Sequence, residues 1–144
     1  MNIRYYFIPL MILISICSCN DMKYKLTVGD NNLMVECILS KVKVRSVSEN
    51  DKNTFNIKVD KLTSIYGDIE LINRTSSDVK YNLKNYYLIY GNKTSSHLYI
   101  DSYADYILMD SILKPGEHLK KSVYWVFDGE IKASVLKELK LIVK

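Results

Sequence analysis

Three carboxylates, Asp101, Asp105 and Asp110, fall in one short segment of this 144-residue chain, interleaved with Tyr99, Tyr103 and Tyr106. Carboxylates are hard oxygen ligands suited to calcium. A pair of them can also move protons as general acid and base. Their spacing matches no EF-hand loop, and a solvated loop explains them as well. Tyrosine is amphipathic and common at binding surfaces. Tyr99, Asp101, Tyr103, Asp105 and Tyr106 therefore form the candidate binding surface. The chain has two histidines, His97 and His118. No His-x-x-x-His or Cys-x-x-Cys pair offers a zinc site. No Gly-x-Ser-x-Gly elbow and no glycine-rich phosphate loop is present. The sequence thus assigns no catalytic residue, no metal and no cofactor.

The cysteines carry a different chemistry. Met1-Asn2-Ile3-Arg4 opens the chain with one cation, and an apolar run follows from Tyr5 to Ile16. That run is shorter than the roughly 20 residues a membrane span needs. A basic start and a short apolar core are the pattern of a secretory signal. Pro9 inside the run and the polar switch at Ser18 argue against a buried helix. The end of the run, Ile16-Cys17-Ser18-Cys19, resembles the lipobox of bacterial lipoproteins, with an aliphatic residue three before the cysteine and a small one just before it. Ile14-Ser15-Ile16-Cys17 fits less well, because Ile16 is bulky at the cleavage position. The resemblance implies cleavage before Cys19 and acylation of its sulfur. Several acyl chains together anchor stably, whereas one alone is marginal. Ordinary secretion with free thiols is the alternative. Asn20 and Asp21 do not decide between inner and outer membrane.

This reading divides the chain into a signal peptide (1–18), an acylated cysteine and tether (19–23), and a domain (24–144). With Cys17 removed and Cys19 acylated, Cys37 is left alone, so no internal disulfide is expected. Cys37 shares an alternating face with Leu33, Val35 and Leu39, which predicts a buried, inert thiol. The net charge is only +4 and is dispersed. Nucleic-acid binding, which shows a clustered basic face, is not expected.

The elements that must position these residues read as short strands. Lys23 to Val28 alternates, and Gly29-Asp30-Asn31-Asn32 is a turn cluster. Leu33 to Ser48 reads as extended, with apolar residues at 33, 35, 37 and 39 and then at 42 and 44. A period of two cannot change parity without a bulge, which places one near Ser40-Lys41. Ser48 to Asn53 reads as a polar loop, and Phe55, Ile57 and Val59 as a half-buried strand. Further strands are expected at Gly67–Asn73, Tyr81–Tyr90, His97–Tyr103 and Lys121–Phe127, and at the C-terminus through Leu139, Leu141 and Val143. A short strand at Tyr106-Ile107-Leu108 is a weaker expectation. Lys114-Pro115-Gly116-Glu117 has the residues of a type II turn, and Asp128-Gly129 is a tight-turn signal. Ile131 to Leu136 is ambiguous and suits one helical turn.

Seven to nine short strands without a sustained helical period predict an all-β fold, an antiparallel immunoglobulin-like β-sandwich. The antibody Cys…Trp…Cys spacing is absent. The order of Asp68-Ile69-Glu70-Leu71-Ile72-Asn73-Arg74-Thr75, the tyrosine-rich strand ending Tyr90-Gly91, Leu113-Lys114-Pro115-Gly116-Glu117 and the Val123–Phe127 strand resembles a group of bacterial secreted and lipoprotein domains with an immunoglobulin-like fold. That resemblance supports the architecture and carries no catalytic residue. The resulting expectation is a non-enzymatic, lipid-anchored protein of the bacterial cell envelope, acting on an envelope protein partner or in a structural role. Two rivals are an inhibitor or immunity-type lipoprotein that binds one enzyme, and an envelope hydrolase using Asp101 and Asp105.

Overall fold

A computed structural model describes residues 23–30, 32–101 and 110–144. The fold is mostly antiparallel β. Its first hairpin joins β1 (Tyr24–Asp30) to β2 (Leu33–Ser46), with Val28 opposite Val35 and Tyr24 opposite Leu39. Strand β1 runs two residues further than the Gly29 turn signal suggests, and Asn32 takes the left-handed conformation (φ 70°) that asparagine tolerates. Strand β2 pairs along its length with β3 (Lys61–Asn73), and the register slips between Leu39 and Lys41. The bulge expected from the parity change is therefore present. The next strand in the sheet is β9 (His118–Asp128), followed by the two-residue β7 (Tyr99–Ile100), which gives the order β1-β2-β3-β9-β7.

Two smaller sheets complete the fold. One orders β10 (Lys140–Val143), β5 (Tyr86–Tyr90) and β6 (Lys93–Thr94), and the other pairs β4 (Val79–Asn82) with β8 (Asp110–Leu113). A single apolar cluster joins all three sheets. It holds Leu33, Val35, Cys37 and Leu39 of β2, alternate residues of β3 and β9, and Tyr81, Tyr86, Leu88, Leu113 and Leu141 from the smaller sheets. Trp125 is fully buried there, and its indole N–H donates to the carbonyl of Tyr86 at 3.0 Å, so the largest core side chain leaves no polar atom unsatisfied. Cys37 is 0% exposed, and burial, reinforced by the nearby Asp68 charge, pushes its thiol up to about 12. Cys37 is thus buried, as expected, in surroundings that disfavour the thiolate.

Four expectations change. Ser48 to Asn53 is not a loop. It begins a helix, α1 (Glu49–Phe55), capped by Ser48: the hydroxyl accepts from the Asp51 N–H, and the Asp51 carboxylate accepts from the Ser48 N–H. Phe55, Ile57 and Val59 consequently form no strand. Ile57 is buried in a second small cluster with Leu62 and Val126, while Val59 is 39% exposed. Strand β3 also starts six residues before Gly67. Leu62, Thr63, Ser64 and Ile65 are all buried, because α1 and its exit cover the outer face of the sheet, so no polar alternation marks this segment. Finally, Tyr81–Tyr90 is broken by a 3-10 turn at Leu83–Asn85, which the Asn82 side chain caps by accepting from the Lys84 N–H. Ala133–Glu138 forms the short 3-10 helix in the segment that suited a helical turn. Ten strands are seen among the described residues. The weaker strand expected at Tyr106-Ile107-Leu108 lies outside them.

Candidate functional site

The outer face of the five-stranded sheet carries the polar and aromatic side chains that could meet a ligand. Pairing places Tyr66 opposite Tyr124 and Tyr124 opposite Tyr99, so three tyrosines from β3, β9 and β7 fall in one cross-strand row. Their rings lie close together, with centroids 5.5 Å apart for Tyr66–Tyr124 and 5.2 Å for Tyr99–Tyr124. Phe55 from α1 meets Tyr99 edge-on at 5.3 Å, and His97 packs against it at 4.4 Å. Cross-strand aromatic pairs of this kind stabilise a sheet beyond the area they bury. Burial and then the nearby Lys84 charge hold the His97 imidazolium below the usual histidine range.

The next row on this face is polar. Asp68 of β3 lies opposite Ser122 of β9, whose hydroxyl donates to the Asp68 carboxylate at 2.7 Å. Asp101 directly follows β7 and is fixed to β9 by its backbone N–H, which donates to the Ser122 carbonyl at 3.0 Å. From the other side, the bulge in β2 brings in Lys41 and Lys43, and the Lys43 ammonium sits 5.4 Å from the centre of the Tyr66 ring. Together these residues line an open cleft of about 330 Å3. Gly67 lies in its floor. A Cβ there would come within 2.6 Å of the Ile38 carbonyl oxygen, so the close approach of β2 and β3 at the bulge requires glycine.

Of the residues singled out by sequence, the structure therefore places Tyr99 and Asp101 on one face, one row apart. Tyr99 is half-buried in the aromatic row, whereas Asp101 is exposed at the cleft. Tyr103, Asp105, Tyr106 and Cys19, the residue expected to be acylated, lie outside the described residues. Sequence reasoning missed Lys41, Lys43, Asp68 and Ser122. The parity break at Ser40-Lys41 marked the place where they converge, although nothing in it marked the chemistry. Among the described residues, no group of three His, Cys, Asp or Glu side chains is arranged to hold a metal ion. No helix among them is long and apolar enough to cross a membrane.

No known protein family matches the chain, and no curated protein matches it. Among solved structures it is similar to a functionally unknown protein from Listeria monocytogenes EGD-e. That likeness has 14% identity and a TM-score of 0.47, and it covers 84% of this chain and 69% of the other.

Proposed function

We propose that this chain is a non-enzymatic, lipid-anchored protein of the bacterial cell envelope, whose domain of residues 24–144 is an immunoglobulin-like sandwich that works by binding an envelope protein. The observation that carries the anchoring is the leader ending in Ile16-Cys17-Ser18-Cys19. The position of the first strand agrees with it. Strand β1 starts at Tyr24 on the edge of the large sheet. Five residues of extended chain reach at most about 17 Å, so acylation at Cys19 would hold that sheet edge close to the bilayer. A sheet domain held in this way presents its outer face and the turns at its far end to other envelope components.

The test is acylation followed by capture. The full-length chain is expressed in a bacterial host fed an alkyne analogue of palmitate, beside the Cys19→Ser variant. The expected result is label on the membrane-bound wild type and none on the variant. Label that survives Cys19→Ser overturns the anchoring site. The full-length protein, extracted in mild detergent, is then used to capture envelope proteins. One stoichiometric partner retained at high salt is expected, and a blank result overturns the protein-binding reading.

A further inference from the structure

The cleft on the outer face holds charges of both signs that do not pair with one another. Among the described residues, neither Lys41, Lys43 nor Asp101 forms an ion pair, although all three line the same space. Their placement is ordered. The two ammonium groups enter from β2, and the two carboxylates come from the row formed by Asp68 and Asp101, on the strands beyond it. Strands β3 and β7 have β9 between them. At the usual strand spacing this sets the Asp68 and Asp101 backbones about 10 Å apart. The cleft thus has a positive end and a negative end.

Contacts on Asp68 and Lys43 hold two of these four groups in position. Ser122 donates to one oxygen of Asp68 and leaves the other free to accept. Tyr66 holds the Lys43 ammonium over its ring. The same contacts argue against a sugar stacked on Tyr66, because Lys43 lies on that ring at 5.4 Å and Tyr124 packs beside it at 5.5 Å. A volume of about 330 Å3 is at the lower end of ligand-binding cavities. It suits a molecule of one or two residues.

We propose that this cleft binds a free amino acid or short peptide by its two termini, the carboxylate on Lys41 and Lys43 and the ammonium on Asp68 and Asp101. Charge-assisted hydrogen bonds at both ends give the site its selectivity, since a ligand lacking either charge leaves one pair of groups unmatched. The four charged side chains that would hold the ligand do not include Cys19, the residue expected to be acylated, so binding can be measured apart from anchoring and from protein capture.

The experiment titrates the full-length protein in mild detergent with alanyl-alanine, N-acetyl-alanyl-alanine and alanyl-alanine amide at low salt. Binding is followed by calorimetry and by the amide resonances of Gly67 and Ser122. The expected result is saturable binding of alanyl-alanine that moves both resonances, and a loss of at least about tenfold in affinity for each blocked form. The Lys41→Gln/Lys43→Gln pair should lose the same factor for alanyl-alanine and become indifferent to the ligand's carboxylate. Asp68→Asn/Asp101→Asn should become indifferent to its ammonium. No binding at millimolar dipeptide, equal binding of the blocked forms, or shifts confined to other parts of the protein would each overturn the proposal. All four side chains lie on the solvent side of the sheet, and an unchanged circular dichroism spectrum checks that the variants fold.

Discussion

The side-chain amide of Asn73 donates to the carbonyl of Leu113 at 2.9 Å, tying the end of the longest core pairing to strand β8 in the next sheet. The same nitrogen donates to the Ser77 carbonyl at 2.8 Å, while its oxygen accepts from the Thr75 N–H and hydroxyl. Asn73 is 0% exposed. The triplet Asn73-Arg74-Thr75 therefore matches a glycosylation sequon for a structural reason: its amide nitrogen is already committed to two carbonyls.

Asn73→Ala should be costly, because it strands two carbonyls and the N–H of Thr75. Leaving a buried polar group unmatched costs about 1–3 kcal/mol. A loss of about 3 kcal/mol in urea denaturation is expected. Asn73→Asp should be nearly as damaging, since a carboxylate cannot donate to Leu113 or Ser77. A loss below about 0.5 kcal/mol for either variant would show that the junction between sheets does not depend on this side chain.

Gly67 and Ile38 give the second prediction. A methyl group on Gly67 would meet the Ile38 carbonyl oxygen at 2.6 Å, and both partners belong to paired strands that cannot swing away. Gly67→Ala should cost about 1–3 kcal/mol, as overpacking does elsewhere. It should also shift the bulge, which amide exchange at Leu39, Ser40 and Lys41 would report. Neighbouring Asp68→Ala, on the solvent side of the same strand, is the control and should leave that exchange unchanged.

The bulge was legible in the sequence and much around it was not, for identifiable physical reasons. Leu39 and Val42 break a two-residue period, and only an extra residue in the strand can reconcile them. Leu62 to Ile65 gave no such signal. Both faces of that segment are covered, and buried Thr63 spends its hydroxyl on the Gly129 carbonyl and the Ile131 N–H. Helix α1 was hidden by its polar composition, though Ser48-x-x-Asp51 is a capping box with aspartate in place of the commoner glutamate. The cleft escaped notice because its residues are distant in sequence: Lys41, Asp68, Asp101 and Ser122 meet only through the pairing of β2, β3, β9 and β7.

Asp51 sets the acid limit of α1. Hydrogen bonds from the Arg45 guanidinium, and then from the Ser48 hydroxyl and N–H, hold its carboxyl far below the usual carboxylate range. A carboxyl with a depressed folded pKa contributes stability that is complete above its unfolded value near 4 and is lost as pH falls toward the folded value. Stability should therefore fall between about pH 4 and pH 2, and the slope should shrink in Arg45→Gln. That variant should cost about 1–2 kcal/mol at neutral pH, less than breaking a buried pair, because the Arg45 side chain is 48% exposed. Ser48→Ala should cost about 1 kcal/mol through the lost cap. Thermal melts from pH 7 to pH 2 on the three proteins check both effects.

His97 gives a pH response in a milder range. Its ring packs on Tyr99, and burial together with Lys84 disfavours the imidazolium in the folded state. The unfolded chain then binds the proton more readily than the folded one. The stability tied to neutral His97 is complete above about pH 6.5 and is lost as pH falls below that value. Urea midpoints should drop between pH 7.5 and pH 5.5 in the wild type. In His97→Gln the drop should be smaller, because a neutral amide replaces a group that must stay unprotonated. Lys84→Gln removes one of the two causes and should recover part of the difference without touching the aromatic row. Identical pH profiles for wild type and His97→Gln would mean that the packed imidazole accepts its proton as easily as the unfolded one does, and that Tyr99 and Lys84 do not control it.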